Sequence, residues 1–514
     1  MKRYFLGIDI GTFESRGILI DESFRVAADA SLPHGMNNPQ PGWFEQEAEA
    51  VWWGDLCKLC RTLIKQSGIR PEQIACVGTS ALGTDCLPVD EQCRPLRPAI
   101  LYGIDARASE EAAWLTEHYG QARVQELFGH PICSGDTATK ILWLRRHEPE
   151  IYAKTAYFLT GSSFLTARLT GKYVIDQSLA KGSFRPLYQA DGGVNEAECG
   201  LYCRPDQIAA CAWSTDIVGT VTPEAAAQTG LAAGTPVITG TGDSTAEAIS
   251  VGLVEPGTAF FQYGSSMFYY YCTDHFVGSY VSPQGNGALK GGKAFTVPGT
   301  YCLGDGTNAA GTLTRWVRDL LYSKELDAEK QGGENAYAVM AREAAAVPPG
   351  SDGLIMLPYI YGERSPLQDA EATGMLFGLK GTHGRAQINR AALEAVGYST
   401  YQHLLLFEEL GVPPRRIITA GGGTKNAAWM QIICDMAGMP LTIPEPFQCS
   451  SYGDAMLAAL GVGALESFAA LRAALPQGRI LQPDRKNHEF YQEHYPIFRD
   501  LYLENRDRMH RMQK

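Results

Sequence analysis

Residues 5–21 read Phe5-Leu6-Gly7-Ile8-Asp9-Ile10-Gly11-Thr12-Phe13-Glu14-Ser15-Arg16-Gly17-Ile18-Leu19-Ile20-Asp21. Two apolar runs flank a short stretch of Gly and Thr, the pattern of a strand, a tight turn and a returning strand. Half a chain later a second stretch reads alike: Thr258-Ala259-Phe260-Phe261-Gln262-Tyr263, then Gly264-Ser265-Ser266, then Met267-Phe268-Tyr269-Tyr270-Tyr271. Two hairpins of this kind, one opening each half, suggest a duplicated lobe with both turns facing a shared cleft. Turn N–H groups and hydroxyls could then grip a polyphosphate from both sides. From spacing alone, two unrelated hairpins fit equally well.

The chain between and beyond them alternates. Gln73–Ser80 reads as a buried strand ending in a small-residue loop, and Thr137–His147 as an amphipathic helix with Trp143 and Leu144 on its apolar face. Thr222 followed by Pro223 marks a helix start. Thr235–Gly240 is a strand leading into Thr241-Gly242-Asp243-Ser244 and a helix from about Thr245, and the lobe boundary is expected near 245–258. In the second half Arg415–Ala420 is a strand that runs into Gly421-Gly422-Gly423-Thr424, with a helix from Ala427. Strand, glycine turn and helix start accept phosphate or ribose close to backbone. A charged, aromatic terminal helix is expected from about Asn487. This alternation indicates α/β layering.

Composition bounds the function classes. The 514 residues suit two large lobes, and 45% hydrophobic with 19% charged residues excludes intrinsic disorder. A net charge of −12 argues against a nucleic acid or an anionic membrane as main partner, though not against a phosphorylated ligand. No apolar run has the length of a membrane span, and the first residues lack a signal peptide's apolar region and cleavage site. The 13 cysteines are odd in number and scattered, so no disulfide framework is expected. Cys57 and Cys60 have CxxC spacing without a second pair, which reads as structural. A cytoplasmic protein is the expectation.

Two carboxylates stand out. Asp9 ends an apolar strand just before a Gly-Thr turn, where it could hold Mg²⁺ against a phosphate or simply brace the turn. Asp243 sits at a strand-to-helix junction, where ligands bind in α/β sheets. It could take the proton of an attacking hydroxyl, or merely cap its helix. The triple glycine alone is weak evidence.

Longer motifs add to this. Gly135-Asp136-Thr137-Ala138-Thr139-Lys140-Ile141-Leu142-Trp143-Leu144-Arg145-Arg146-His147 is one, and Gly374-Met375-Leu376-Phe377-Gly378-Leu379 followed by Gln387–Glu394 another. In both, and over nearly its whole length, the sequence resembles the FGGY carbohydrate kinases, the group containing xylulokinase, glycerol kinase, gluconate kinase and ribulokinase. The resemblance implies a two-lobed actin-like ATPase fold (a duplicated ribonuclease H-like unit) with a deep interlobe cleft. The lobes would be residues 1–250, with the sugar site, first phosphate hairpin and catalytic Asp, and 251–514, with the second hairpin and the adenosine site. It implies ATP and Mg²⁺, with Asp243 as catalytic base and Asp9 at the metal. Gly11, Thr12 and Arg16 would lie near the phosphates from one side and Gly264 with Ser265 from the other. Gly311, Gly422, Gly423 and Asn426 match family nucleotide contacts.

The sugar pocket departs from the family. Gly83-Thr84, then Asp85, stand where relatives carry Met-His or Arg-Glu, and Ser244 follows the catalytic Asp where Asn or Gln is usual. The family's Trp-centred motif appears as Tyr102-Gly103-Ile104-Asp105-Ala106-Arg107 with one extra residue. Thr84, Asp85, Tyr102, Asp105, Arg107 and Ser244 are therefore the expected sugar contacts, with Asp105 and Arg107 fixing hydroxyls or forming a plain ion pair. Gly42–Gln46 and Leu357–Pro366 resemble the xylulokinase forms, so D-xylulose is the first expected substrate of a kinase for ketoses or related polyols. Glu14, unusual beside a triphosphate, is expected to face solvent. The partner is then a small sugar, with room for a homodimer. An actin-like ATPase of chaperone or filament type, and a non-catalytic sugar or nucleotide sensor, are the rivals.

Overall fold

The computed structural model describes residues 2–444 and 449–513. It divides into two compact units, one of Met1–Val254, Lys293–Tyr301 and Gln448–Leu475, the other of Glu255–Gly292, Cys302–Phe447 and Pro476–Lys514.

In the first unit β1 (Tyr4–Ile10) and β2 (Glu14–Asp21) form the expected hairpin, and β3 (Val26–Pro33) extends it antiparallel. On its other side β1 pairs in parallel with β4 (Ile74–Ala81). Beyond lie β5 (Ile217–Thr220) and β6 (Pro236–Ile238), giving the order β5-β6-β4-β1-β2-β3, while the short β7 (Thr241–Gly242) also pairs with β4. Phe5, Leu6, Ile8 and Ile10 are all buried, as a central strand covered on both faces requires. Helices α1 (Gly54–Ser67), α2 (Thr137–His147), α3 (Gly161–Thr170) and α4 (Asp243–Ser250) belong to this unit. The α2 bounds are those read from the sequence. The start of α4 is not: the helix opens at Asp243 with Gly242 as N-cap, so capping is not the role of Asp243.

The second unit repeats the plan. A hairpin of β8 (Thr258–Tyr263) and β9 (Met267–Thr273) is flanked by β10 (Tyr301–Gly306), and β8 pairs in parallel with β11 (Arg416–Ala420). The strands β12 (Leu441–Ile443) and β13 (Arg479–Leu481) continue it, so that six of the seven strands of the sheet run β10-β9-β8-β11-β12-β13. Its helices include α5 (Gly311–Leu321), α6 (Ala336–Ala345), α7 (Arg385–Glu409) and α8 (Ala427–Ala437). Residues 389–404 of α7 are all buried, which explains its lack of a polar face.

The chain then returns to the first unit through α9 (Ser450–Gly461) before ending in α10 (Arg485–Met512), which starts two residues earlier than expected, capped by Asp484. Glycines let α9 approach: a Cβ on Gly7 would lie 1.8 Å from Ser451 O, one on Gly78 2.3 Å from Asp454 O, and one on Gly453 1.9 Å from Ala246 O. Backbone thus rests on backbone at β1, β4 and α4, which carries the side chains of α9 to the ends of those strands.

Candidate active site

Sheet register brings the two carboxylates together. Asp9 pairs with Ser80 across β1 and β4, and Ser80 pairs with Thr241 across β4 and β7, two residues before Asp243. Asp9 and Asp243 are both partly exposed. Burial, and then the charge of Asp243, push the Asp9 carboxyl well above the usual carboxylate range. Burial also raises Asp243, against bonds from Ser244 and the charge of Lys293. Ser244 donates its backbone N–H to Asp243 Oδ1 at 2.6 Å, so it holds this carboxylate from the next position.

The sequence reading missed the groups behind them. Ser80 Oγ lies 2.8 Å from Asp9 Oδ1 and 2.7 Å from Asp454 Oδ2. Asp454 is wholly buried on α9, its Oδ1 has no hydrogen-bond partner among the described residues, and burial with the Asp9 charge raises it well above the ordinary range. The signal was present: Asp454 is a lone charge in the apolar run Tyr452–Leu460.

The hairpin tip is braced from within. Gln46 Nε2 donates to Thr12 O at 2.8 Å, and Trp52 Nε1 holds Gln46 Oε1 at 2.8 Å. Thr12 Oγ1 lies 3.2 Å from Tyr102 Oη, and Gly11 N donates to Glu14 O at 3.0 Å. Arg16 pairs with Asp9 in the β1–β2 register, and its charge favours the ionised Asp9. Glu14 is exposed, as expected.

Asp85 is the other unsatisfied acid. It is fully buried, and among the described residues neither oxygen makes a hydrogen bond of ordinary geometry, with weak support from the backbone at Tyr102. Burial raises it well above its usual value, opposed by Lys140 and reinforced by Asp243. Lys140, on α2 and also fully buried, donates from Nζ to Thr84 O at 2.7 Å and Gly135 O at 3.0 Å, leaving one of three protons unspent. Burial lowers its pKa.

Asp105 and Arg107 are not placed as open sugar contacts. Their side chains are fully buried and saturate each other: Arg107 Nη2 meets Asp105 Oδ2 at 2.8 Å, and its Nη1 meets Glu45 Oε1 at 2.7 Å. Arg107 also lies 4.3 Å from the Trp43 ring centroid, and Asp105 Oδ2 accepts from Phe44 N at 2.6 Å. A charge pair so enclosed is a bolt between loops, with no free polar atom to offer a ligand.

In the second unit Gly264, Ser265, Gly311, Gly422, Gly423 and Asn426 all line one cavity of about 550 Å³, with Tyr263, Trp429, Arg315 and Lys425 beside them. Gly311 N donates to Gly264 O at 2.9 Å, and a Cβ there would lie 2.5 Å from that oxygen. Gly421 turns with φ +92°, and Asn426 caps α8 through Oδ1 to Trp429 N at 3.1 Å.

Comparison with known proteins adds the family. The description "FGGY family of carbohydrate kinases, N-terminal domain" matches residues 4–250, and the corresponding C-terminal domain matches 263–462. The chain belongs to the FGGY family of carbohydrate kinases. Among curated relatives, the xylulose kinase of Escherichia coli (strain K12) is 29% identical over 501 residues, 97% of this chain and 98% of that protein. The gluconokinase of Bacillus subtilis (strain 168) is 28% identical over 506 residues, 98% of this chain and 96% of that protein. Among solved structures, the xylulose kinase from Rhodospirillum rubrum superposes with a TM-score of 0.88 at 28% identity, over 99% of this chain and 100% of that one. The Plasmodium falciparum glycerol kinase with ADP, at 20% identity, shares the fold with a TM-score of 0.83, over 96% of this chain and 97% of that one. This FGGY kinase therefore has the two-domain actin-like ATPase fold and is an ATP-dependent carbohydrate kinase, which sets aside the chaperone, filament and sensor readings. Among the described residues no helix is long and apolar enough to cross a membrane.

Proposed function

We propose that this FGGY kinase transfers the γ-phosphoryl group of ATP to the primary hydroxyl of a ketose, D-xylulose first, with Asp243 as base. The hydroxyl oxygen bonds to the γ-phosphorus, the bond from that phosphorus to the β-bridging oxygen breaks, the hydroxyl proton passes to Asp243, and ADP leaves. A weak base suffices, because phosphoryl transfer through a loose transition state needs chiefly orientation and late proton acceptance. Thr84, Asp85 and Tyr102 are the proposed sugar contacts, and Ser244 steadies the base. The nucleotide is assigned to the cavity of the second unit, its phosphates also to Gly11, Thr12 and Arg16.

Asp9 and Asp243 fit Mg²⁺, since two partly exposed carboxylates, both raised by burial and Asp9 also by the charge of Asp243, form an oxygen donor set short of positive charge. Among the described residues no group of three or more His, Cys, Asp or Glu is arranged to cage a metal, as suits an ion completed by phosphates and water. When bound, Mg²⁺ neutralises charge on the phosphates. Asp9 is the residue assigned to hold it. All 13 cysteines are free thiols, in keeping with a cytoplasmic enzyme.

The observation that carries this reading is the meeting of Asp9 and Asp243 at one end of one sheet through the Ser80 register. ADP release with a panel of ketoses, polyols and sugar acids tests it. Turnover with D-xylulose that disappears in Asp243→Ala, while sugar binding persists, is the expected result; equal hydrolysis with every sugar would refute it.

A further inference from the structure

We propose that Asp454 is a positioning residue: through the hydroxyl of Ser80 it fixes the side chain of Asp9, so that one carboxylate oxygen of Asp9 is held by the protein and the other stays free for a divalent cation. The proposal rests on the assignment of Asp9 to the cation-phosphate end of the site.

The geometry is a three-member chain. Ser80 Oγ lies at hydrogen-bond length from Asp9 Oδ1 and from Asp454 Oδ2, at 2.8 and 2.7 Å. That single hydroxyl ties both carboxyl groups to one atom of β4, with Asp454 wholly buried behind it and Asp9 partly exposed in front.

The support under Asp454 is rigid. Its own carbonyl oxygen lies where a Cβ on Gly78 would be, 2.3 Å away, and the next turn of contact is Gly453 against Ala246 O on α4. The helix therefore cannot shift without moving β4 and α4 together, and the Asp454 side chain inherits that fixity. A carboxylate held by one oxygen loses rotamer freedom before any ligand arrives, which favours cation binding without adding a ligand to the ion.

The test uses the full-length protein and its wild-type, Asp454→Asn, Asp454→Ala, Ser80→Ala and Asp9→Asn forms. Mn²⁺ is titrated into each in the presence of ADP and followed by electron paramagnetic resonance, and Mg²⁺ half-saturation of turnover is measured alongside. Asp454→Asn keeps a hydrogen-bonding group towards Ser80 and should stay within about threefold of wild type, while Asp454→Ala and Ser80→Ala should weaken Mn²⁺ binding about tenfold or more, the usual cost of losing a supporting partner. Ser80→Ala breaks the chain without touching α9, so wild-type affinity in that variant overturns the proposal even if Asp454→Ala does not fold. Wild-type cation affinity in both alanine variants, with Asp9→Asn impaired, overturns the role of Asp454 and leaves Asp9 at the cation. An Asp454→Asn protein as weak as Asp454→Ala overturns it too, because charge rather than positioning would then be at work. Unchanged affinity in Asp9→Asn overturns both assignments.

Discussion

Ser80 and Asp454 stand 374 positions apart in the chain and 2.7 Å apart in the fold. Ser80 is the last residue but one of a strand of the first half, and Asp454 lies on a helix that comes after most of the second unit. The acidic end of the first sheet is therefore assembled from the start, the middle and nearly the finish of the polypeptide, and its charges have to be considered as a set.

Replacing the proposed base should separate binding from chemistry. Asp243→Asn is expected to lower kcat by about 10²–10⁴-fold with little change in sugar or ATP affinity by calorimetry. A kcat within a few-fold of wild type would remove Asp243 from the role.

The acid side of the pH–rate profile should report Asp243. Its carboxyl is raised by burial, so the ionised base is lost as pH falls through a value above the ordinary ~3.9 of Asp. Ser244→Ala removes a hydroxyl bond that favours the ionised form, so the acid limb of kcat should move to higher pH. An unmoved limb would mean that another group sets it.

Asp9 should cost stability at neutral pH. Its native pKa is raised, so the folded state binds protons more tightly than the unfolded chain, and stability falls as pH rises from about 3.9 through the native value. Asp9→Asn, melted in EDTA, is expected to be inactive yet more stable at pH 7.5 by on the order of 1–2 kcal/mol, or about 2–6 °C in Tm. The gain should shrink towards zero near pH 4, and a gain that persists there would point to packing instead.

Asp85 and Lys140 predict a preference among acceptors. A sugar hydroxyl can both donate and accept between Asp85 and Lys140, whereas a carboxylate can only accept. Neutral ketoses should exceed D-gluconate in kcat/KM by about 10²-fold or more, and Asp85→Asn should narrow that gap. Gluconate turnover equal to that of the best ketose would contradict this.

Gly311→Ala should act on the nucleotide alone. Its Cβ would lie 2.5 Å from Gly264 O, a backbone atom at the cavity rim that cannot swing away. ADP affinity should fall about tenfold or more while D-xylulose binding stays within about twofold, as measured by calorimetry, because substrate-size contacts respond steeply to small displacements.

Much of this was legible in the residues themselves. Alternating runs and glycine turns marked both hairpins, β4 and β11, because short strands announce themselves by local apolar pattern. Thr137–His147 was legible from its apolar Trp143 and Leu144, although Thr137–Leu144 prove buried on every side and not on one face alone. What stayed hidden were relationships between distant segments. No local pattern says that Ser80 meets Asp454, or that Lys140 spends two protons on carbonyls. Asp105 and Arg107 could be read as hydroxyl contacts or as a plain ion pair, and only the third dimension supplies Glu45 and Trp43 to enclose the pair.

The late return of α9 also has a consequence for biosynthesis. On the ribosome, a nascent chain that has reached residue 254 holds every strand of the first sheet yet lacks the helix that rests on Gly7 and Gly78. Its apolar underside stays wet until some two hundred more residues have emerged, a long interval in which chaperone capture competes with collapse. A gene fragment cut at that boundary should accordingly precipitate, however neat the boundary looks on paper.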